Sequence, residues 1–216
     1  VTSLGACNVP VDEWKLDIVA SGSQKGYMIP PGLSFIAMSQ KAWEAAEKSN
    51  LPKFYLNLKS YRKSLLSNSN PYTPAVNLVF ALDEALKMMR EEGLDNIFLR
   101  HNKHKLAMSN AVKALNLKLF ADEKYLSPSI TAIKTEEIDA EEFRKTIKNN
   151  FDILLAGGQD HLKGKIFRVG HLGYVNDRDI ISVVSAISNT LLSLGKISAQ
   201  QAGEALVVAS KYLEGN

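Results

Sequence analysis

The sequence predicts an α/β chain in which a strand-and-loop half gives way, through two long helices, to a smaller α+β half. Three observations predict it. Short apolar runs at 17–20 and 33–38 flank a Ser/Gly loop. Broad apolar faces at helical spacing cover 75–92 and 96–115. Beyond residue 115, short apolar runs alternate with helices that open on capping residues.

Composition bounds the function. The chain has 216 residues, enough for one large domain or two small ones. Hydrophobic residues at 45% and charged residues at 23% give an ordinary globular balance, which argues against a disordered chain. The net charge is +3 and the basic residues are dispersed, so neither nucleic acid nor an anionic membrane is an expected partner. The densest basic stretch, Arg100 to Lys105, falls in a helical pattern and reads as a solvated face. A single cysteine, Cys7, excludes an internal disulfide and supplies too few thiolates for a zinc ribbon or an iron–sulfur cluster. No apolar run approaches a membrane span, and a cytoplasmic protein is the simplest reading. The opening residues Val1-Thr2-Ser3-Leu4-Gly5 read as the end of a strand and its turn, so residues upstream of Val1 are expected.

Taken in order, Asp17 to Ala20 is a candidate buried strand and Leu33 to Met38 a second. Gln40 to Ser49 is helical by composition, and Asn50-Leu51-Pro52 ends it. Residues 53–73 are less regular, with Phe54, Tyr55, Leu58 and Tyr61 in a half-buried segment. A polar loop follows, and Thr73 with Pro74 should open a helix over 75–92 that Gly93 stops. The next helix, 96–115, should turn Phe98, Leu99, Leu106, Ala107, Val112 and Leu115 inward. Strands are expected at 118–120, 130–133, 152–156 and 166–169. Asp139, Asn176 and Ser198 should cap helices to about 149, 194 and 213. The second half can bury its own core, whereas the first is too short to do so.

The candidate site centres on Ser21-Gly22-Ser23-Gln24-Lys25-Gly26-Tyr27, followed by Pro30-Pro31-Gly32. A strand ending in a Ser/Gly loop offers backbone N–H groups and hydroxyls to a phosphate, and a lysine beside it can form a Schiff base with an aldehyde. Such a lysine is more often simply solvated. Arg168 lies between Phe167 and Val169 on a short apolar strand, where an uncompensated charge is costly and an anionic partner is expected. His171 reads as a strand-end core histidine, and Cys7 as a small buried hydrophobe. His101 and His104 have a spacing that can chelate metal, but no third ligand accompanies them, so no metal site is assigned. His161 lies in a loop that could face a site mouth.

The order Val1-Thr2-Ser3-Leu4-Gly5, Ser21-Gly22-Ser23-Gln24-Lys25, Pro30-Pro31-Gly32, Tyr72-Thr73-Pro74, Gly157-Gly158 and Arg168-Val169-Gly170-His171-Leu172-Gly173 resembles the class V pyridoxal-phosphate aminotransferases, nearest the alanine–glyoxylate and serine–pyruvate type. The resemblance runs over essentially the whole chain. It implies the type I pyridoxal-phosphate transferase fold, with 1–92 the end of the cofactor-binding large domain and 93–216 the small α+β domain. It implies pyridoxal 5'-phosphate as cofactor and transamination between alanine or serine and a 2-oxo acid such as glyoxylate or pyruvate. Lys25 would be the Schiff-base lysine and the proton carrier. Ser23 and Gln24 would help hold the cofactor phosphate, and Val1 would pack on the cofactor ring. Arg168 would take the substrate α-carboxylate. Tyr72 and Thr73 match a loop that crosses a homodimer to the partner's cofactor phosphate, with the active site at the subunit interface. Where the family often carries a nearby Tyr this chain has Ser69, so Ser69, Tyr72 and Thr73 all stay open for that contact. The family's acid for the pyridine nitrogen would fall two residues before Val1, so the chain by itself is expected to be inactive. Two other readings stand beside this one: a different pyridoxal-phosphate reaction such as a lyase, and a non-catalytic subunit, since some relatives carry a hydrogenase-subunit label.

Overall fold

A computed structural model describes residues 2–214. The first half is built on a two-stranded antiparallel ribbon, β1 (Ile18–Gly22) and β2 (Ser34–Met38), with Ile18 opposite Met38 and Gly22 opposite Ser34. The connection between them, 23–33, carries Lys25. Of the Asp17-to-Ala20 run only Val19 is buried, and Ile18 and Ile36 are exposed. The expected buried strand is thus half of one, because among the described residues little packs on the ribbon's faces.

Helix α1 (Gln40–Lys48) starts where Ser39 accepts the Ala42 N–H. A second helix, α2 (Leu58–Leu66), replaces the irregular segment expected there, with Asn57 as its cap. Phe54 and Tyr55 before it are exposed rather than half-buried. Helix α3 (Val76–Glu92) begins as expected, but its cap position is Ala75 with no side-chain hydrogen bond, and Thr73 is exposed. Pro74 lies one residue before that cap, outside the helix, so the opening expected at Thr73 and Pro74 is displaced by two residues. The apolar side chains Val76, Val79 and Phe80 lie open along α3.

Gly93 (φ 85°) separates α3 from α4 (Leu94–Ala114). Helix α4 buries Ile97, His101, His104, Ala107, Met108, Ala111 and Val112, and exposes Leu99. The expected inward face is therefore rotated at its N-terminal end, and the basic stretch is not simply a solvated face.

The second half is a four-stranded antiparallel sheet in the order β3 (Lys118–Leu119), β4 (Ile130–Lys134), β6 (Ile166–Gly170), β5 (Ala156–Gly157). The strand expected at 152–156 is mostly connection, because Asp152 closes the preceding helix in the left-handed region (φ 55°). Helices α5 (Ala140–Phe151), α6 (Asp177–Ser193) and α7 (Ala199–Leu213) open on Asp139, Asn176 and Ser198, each accepting backbone N–H bonds. One continuous core joins Ile133, Phe167 and Val169 of the sheet to Phe143, Ile147, Ile180, Ile187, Ala205 and Ala209 of these helices. The Phe143 and Phe167 rings meet at 5.1 Å. This core draws only on residues 107–213, while the first half buries little beyond Ala6, Val19 and Ala42 among its apolar residues. Among the described residues no helix is long and apolar enough to cross a membrane.

Candidate active site

The loop that carries Lys25 is shaped by Ser23. Its backbone N–H donates to Leu33 O (3.0 Å) and its carbonyl accepts from Ile29 N (3.2 Å). Its hydroxyl donates to Pro30 O (2.8 Å) and accepts from Leu33 N (3.1 Å), and the residue is fully buried. In the structure this hydroxyl is turned inward and closes the loop on itself. Gln24, next to it, is exposed. Lys25 is half-buried, its N–H donates to Gly22 O and its carbonyl accepts from Met28 N. Among the described residues its Nζ has no hydrogen bond and no ion pair. Gly26 is buried against Leu4 O, which a Cβ at that position would strike, so the residue after the lysine has to be glycine.

Arg168 stands on β6 opposite Ala132 of β4 and Ala156 of β5. Its neighbours Phe167 and Val169 point into the core, so the alternation of the strand sends Arg168 to the other face. Two alanines beside it leave room around a long side chain. Its Nε donates to Gly157 O (2.8 Å), and among the described residues Nη1 and Nη2 have no partner. A guanidinium held by one nitrogen and open at the other two presents a fork suited to a carboxylate.

Tyr72 is half-buried in an aromatic group with Phe54, Tyr55 and Tyr61, and its hydroxyl donates to Phe54 O (3.0 Å). Thr73 and Ser69 are exposed. Val1 lies outside the described residues.

The family described as aminotransferase class-V matches residues 1–179. The chain belongs to the class-V aminotransferase family. It is 55% identical to the small subunit of a soluble hydrogenase from a Synechococcus strain, over 99% of this chain and 55% of that protein. It is 35% identical to serine–glyoxylate aminotransferase of Methylorubrum extorquens, over 100% of this chain and 55% of that one. The fold superposes on the crystal structure of ureidoglycine–glyoxylate aminotransferase from Bacillus subtilis with a TM-score of 0.88 at 30% identity, covering 97% of this chain and 56% of that one. The fold is therefore that of a pyridoxal-phosphate aminotransferase, and the chain spans about half the length of the curated relatives it matches.

In this class-V chain, sequence reasoning missed the group that links α4 to the turn after β6. Arg100 donates from Nε and Nη2 to the Glu92 carboxylate (2.6 and 2.9 Å) and from Nη1 to Gly173 O and Val175 O (2.9 and 2.8 Å). His101 donates from Nδ1 to Ile97 O (2.7 Å) and accepts the Gly173 N–H at Nε2 (3.0 Å), so both ring nitrogens are engaged and neither is free for a metal. His104 donates from Nε2 to Asp177 Oδ1 (2.9 Å), and Lys103 pairs with Asp177 Oδ2 (2.8 Å). Burial raises the Asp177 carboxyl, but the hydrogen bonds from Lys103 and His104 outweigh it and hold it below the usual range. His171 is fully buried between Thr131 Oγ1 (2.9 Å) and Pro128 O (3.1 Å), as a core histidine. Burial, then the nearby His104, pushes its pKa down to about 4. Cys7 is half-buried with Sγ directed to Ser3 O (3.7 Å), and burial raises its thiol pKa, away from thiolate chemistry. His161 is exposed in a short 3₁₀ turn, Asp160–Leu162.

Proposed function

We propose that this chain carries the cofactor lysine and the carboxylate-binding arginine of a pyridoxal-phosphate enzyme that moves an amino group between a small amino acid, alanine or serine, and a 2-oxo acid such as glyoxylate or pyruvate. The observation that supports it most is two half-buried basic groups left without partners among the described residues, Lys25 Nζ and the Nη1/Nη2 edge of Arg168. An amine with no acid beside it suits attack on an aldehyde, and an open guanidinium fork suits an α-carboxylate. The glyoxylate aminotransferase names among the relatives favour the same substrate class.

When bound, pyridoxal 5'-phosphate supplies an aldehyde for the amine and an electron-withdrawing ring that acidifies the substrate Cα–H. Lys25 would hold that aldehyde carbon and, once released by the incoming amino acid, carry the proton from Cα and return it on the cofactor side. Arg168 would orient the substrate by its carboxylate so that the Cα–H faces Lys25. Gln24, exposed beside Ser23, would meet the phosphate, while Ser23 would hold the loop that presents it. Val1 would pack against the ring, and Tyr72 with Thr73 or Ser69 would reach the phosphate of a second copy. The exposed Phe54, Leu56, Leu65 and Leu66 beside this segment support a homodimer whose sites lie at the subunit interface. A cytoplasmic location fits a chain with one cysteine.

A second reading comes from the hydrogenase-subunit name of the Synechococcus relative. Cys7 is the chain's one cysteine and its thiol is raised, so these residues offer no thiolate set for a metal–sulfur centre. A non-catalytic subunit role would leave Lys25 and Arg168 without their chemistry. The full-length protein with cofactor, glyoxylate and L-alanine or L-serine distinguishes the readings. Transamination yields glycine and the matching 2-oxo acid in equal amounts. A lyase releases ammonia with no glycine, and a non-catalytic subunit yields neither, and either of those results overturns the proposal.

A further inference from the structure

The turn after β6 is gripped by α4 on one side and touches the lysine loop on the other. Consecutive residues of α4 hold both backbone polar atoms of Gly173: Arg100 Nη1 donates to its carbonyl (2.9 Å) and its N–H donates to His101 Nε2 (3.0 Å). Glu92 fixes the rest of the Arg100 guanidinium, so its direction is set. Gly173 has φ 82°, and a Cβ there would meet the Met28 side chain at 2.7–3.0 Å. The next N–H, of Tyr174, lies 2.9 Å from Met28 Sδ. Met28 itself has φ 52°, a left-handed conformation costly for a residue with a side chain, yet the residue is 55% exposed. Little burial compensates that strain; the contact with Gly173 is what the conformation provides.

The position of this contact matters. Met28 follows Lys25 by three residues, and Gly173 follows Arg168 by five. Behind it lies an apolar cavity of about 470 Å³, lined by Tyr27, Met28, Met88, Met89, Arg100 and Gly173 among others, and neither Lys25 nor Arg168 lines it. The two segments therefore have room to shift against each other if the contact is lost.

We infer that Met28 is a positioning residue: seated on Gly173, which Arg100 and His101 hold in place, it sets the lysine loop relative to the strand that carries Arg168. This rests on the roles proposed for Lys25 and Arg168. Misplacing two groups that must act on one small substrate is costly even at the ångström scale. Met28 meets Lys25 through its backbone N–H, which donates to the Lys25 carbonyl and survives truncation of the side chain, and that side chain is open enough that truncation leaves the core intact.

The test uses the full-length protein loaded with pyridoxal phosphate and carrying Met28→Ala, Met28→Leu or Arg100→Lys. Met28→Ala is expected to lower kcat/KM for the amino donor by about tenfold, chiefly through KM, while cofactor affinity changes by less than about twofold. Met28→Leu should recover most of the loss, and Arg100→Lys combined with Met28→Ala should add little to either alone. An unchanged KM in Met28→Ala, an equal loss in Met28→Leu, or cofactor affinity falling in step with KM overturns the inference. Amide hydrogen exchange at Gly173 and Tyr174 reads the contact without activity, and Met28→Ala should speed it about tenfold. If the unmodified protein binds no cofactor, the transaminase reading fails while exchange still decides the contact: unchanged exchange then overturns it as well.

Discussion

Arg168 and Gly157 share one hydrogen bond, from Nε to the carbonyl oxygen at 2.8 Å, across the β5–β6 pair. It anchors the guanidinium at its root and leaves the outer two nitrogens for a partner that the described residues do not supply. The flanking Ala132 and Ala156 keep the approach to that edge open.

From this geometry, Arg168→Lys in the full-length protein should lower kcat/KM for the amino donor by about 10- to 100-fold, the loss of a bidentate charged contact. Cofactor affinity and the urea midpoint should hardly move, because the side chain lies on the face of β6 opposite the core. Steady-state kinetics alongside urea unfolding checks both. Equal loss of substrate and cofactor binding would assign Arg168 a structural role instead.

Ser23→Ala should act through the fold. It removes a buried hydroxyl that serves Pro30 O and Leu33 N together and leaves both without that partner. A cost of roughly 1–3 kcal/mol follows. Urea unfolding of the full-length protein measures it, and cofactor affinity should fall as a consequence of the loosened loop. Unchanged stability with weakened cofactor binding would return the hydroxyl to a direct phosphate role.

The buried histidines make the protein acid-sensitive. His171 has a folded pKa of about 4 against an ordinary 6.5, lowered by burial first and then by His104 and His101. His101 and His104 are lowered too, again chiefly by burial, with Arg100 and Lys103 adding to it and Glu92 and Asp177 opposing it. Below pH 6.5 the unfolded chain takes up protons that the folded chain refuses. Stability is therefore full above 6.5 and falls as the pH drops toward 4, with His171 accounting for roughly 3 kcal/mol at the lower end. Urea midpoints between pH 7.5 and 4.5 should show the decline, and His171→Gln should flatten it. A profile independent of pH in this window contradicts the buried neutral assignment.

How much of this was legible in the sequence follows from local chemistry. The cap residues Asn176 and Ser198 place α6 and α7 to within a residue, because both form full capping boxes. Helix α2 was missed because its apolar residues Leu65 and Leu66 face outward, so no core-directed stripe marked it. His101 and His104 read as a solvated face because basic side chains rarely bury. Here Gly173 and Asp177, more than seventy residues later, supply the partners that permit it. No local pattern carries that information. The motif singles out Lys25 and the apolar flanks single out Arg168 as candidates, but whether the Ser23 hydroxyl points in or out depends on where Pro30 and Leu33 return. The Arg100 grip on Gly173 and Val175 left no signal in either segment alone.

Lys25 is the residue proposed to bind the cofactor, and every other proposed role depends on it. The most direct measurement is the visible absorbance of the full-length protein after loading with pyridoxal phosphate and removing the excess, compared with Lys25→Ala treated identically. The unmodified protein should show a visible band of lysine-bound cofactor that sodium borohydride fixes to the peptide containing Lys25, and Lys25→Ala should show no such band. A band of equal strength in Lys25→Ala, or its absence from the unmodified protein, would contradict it.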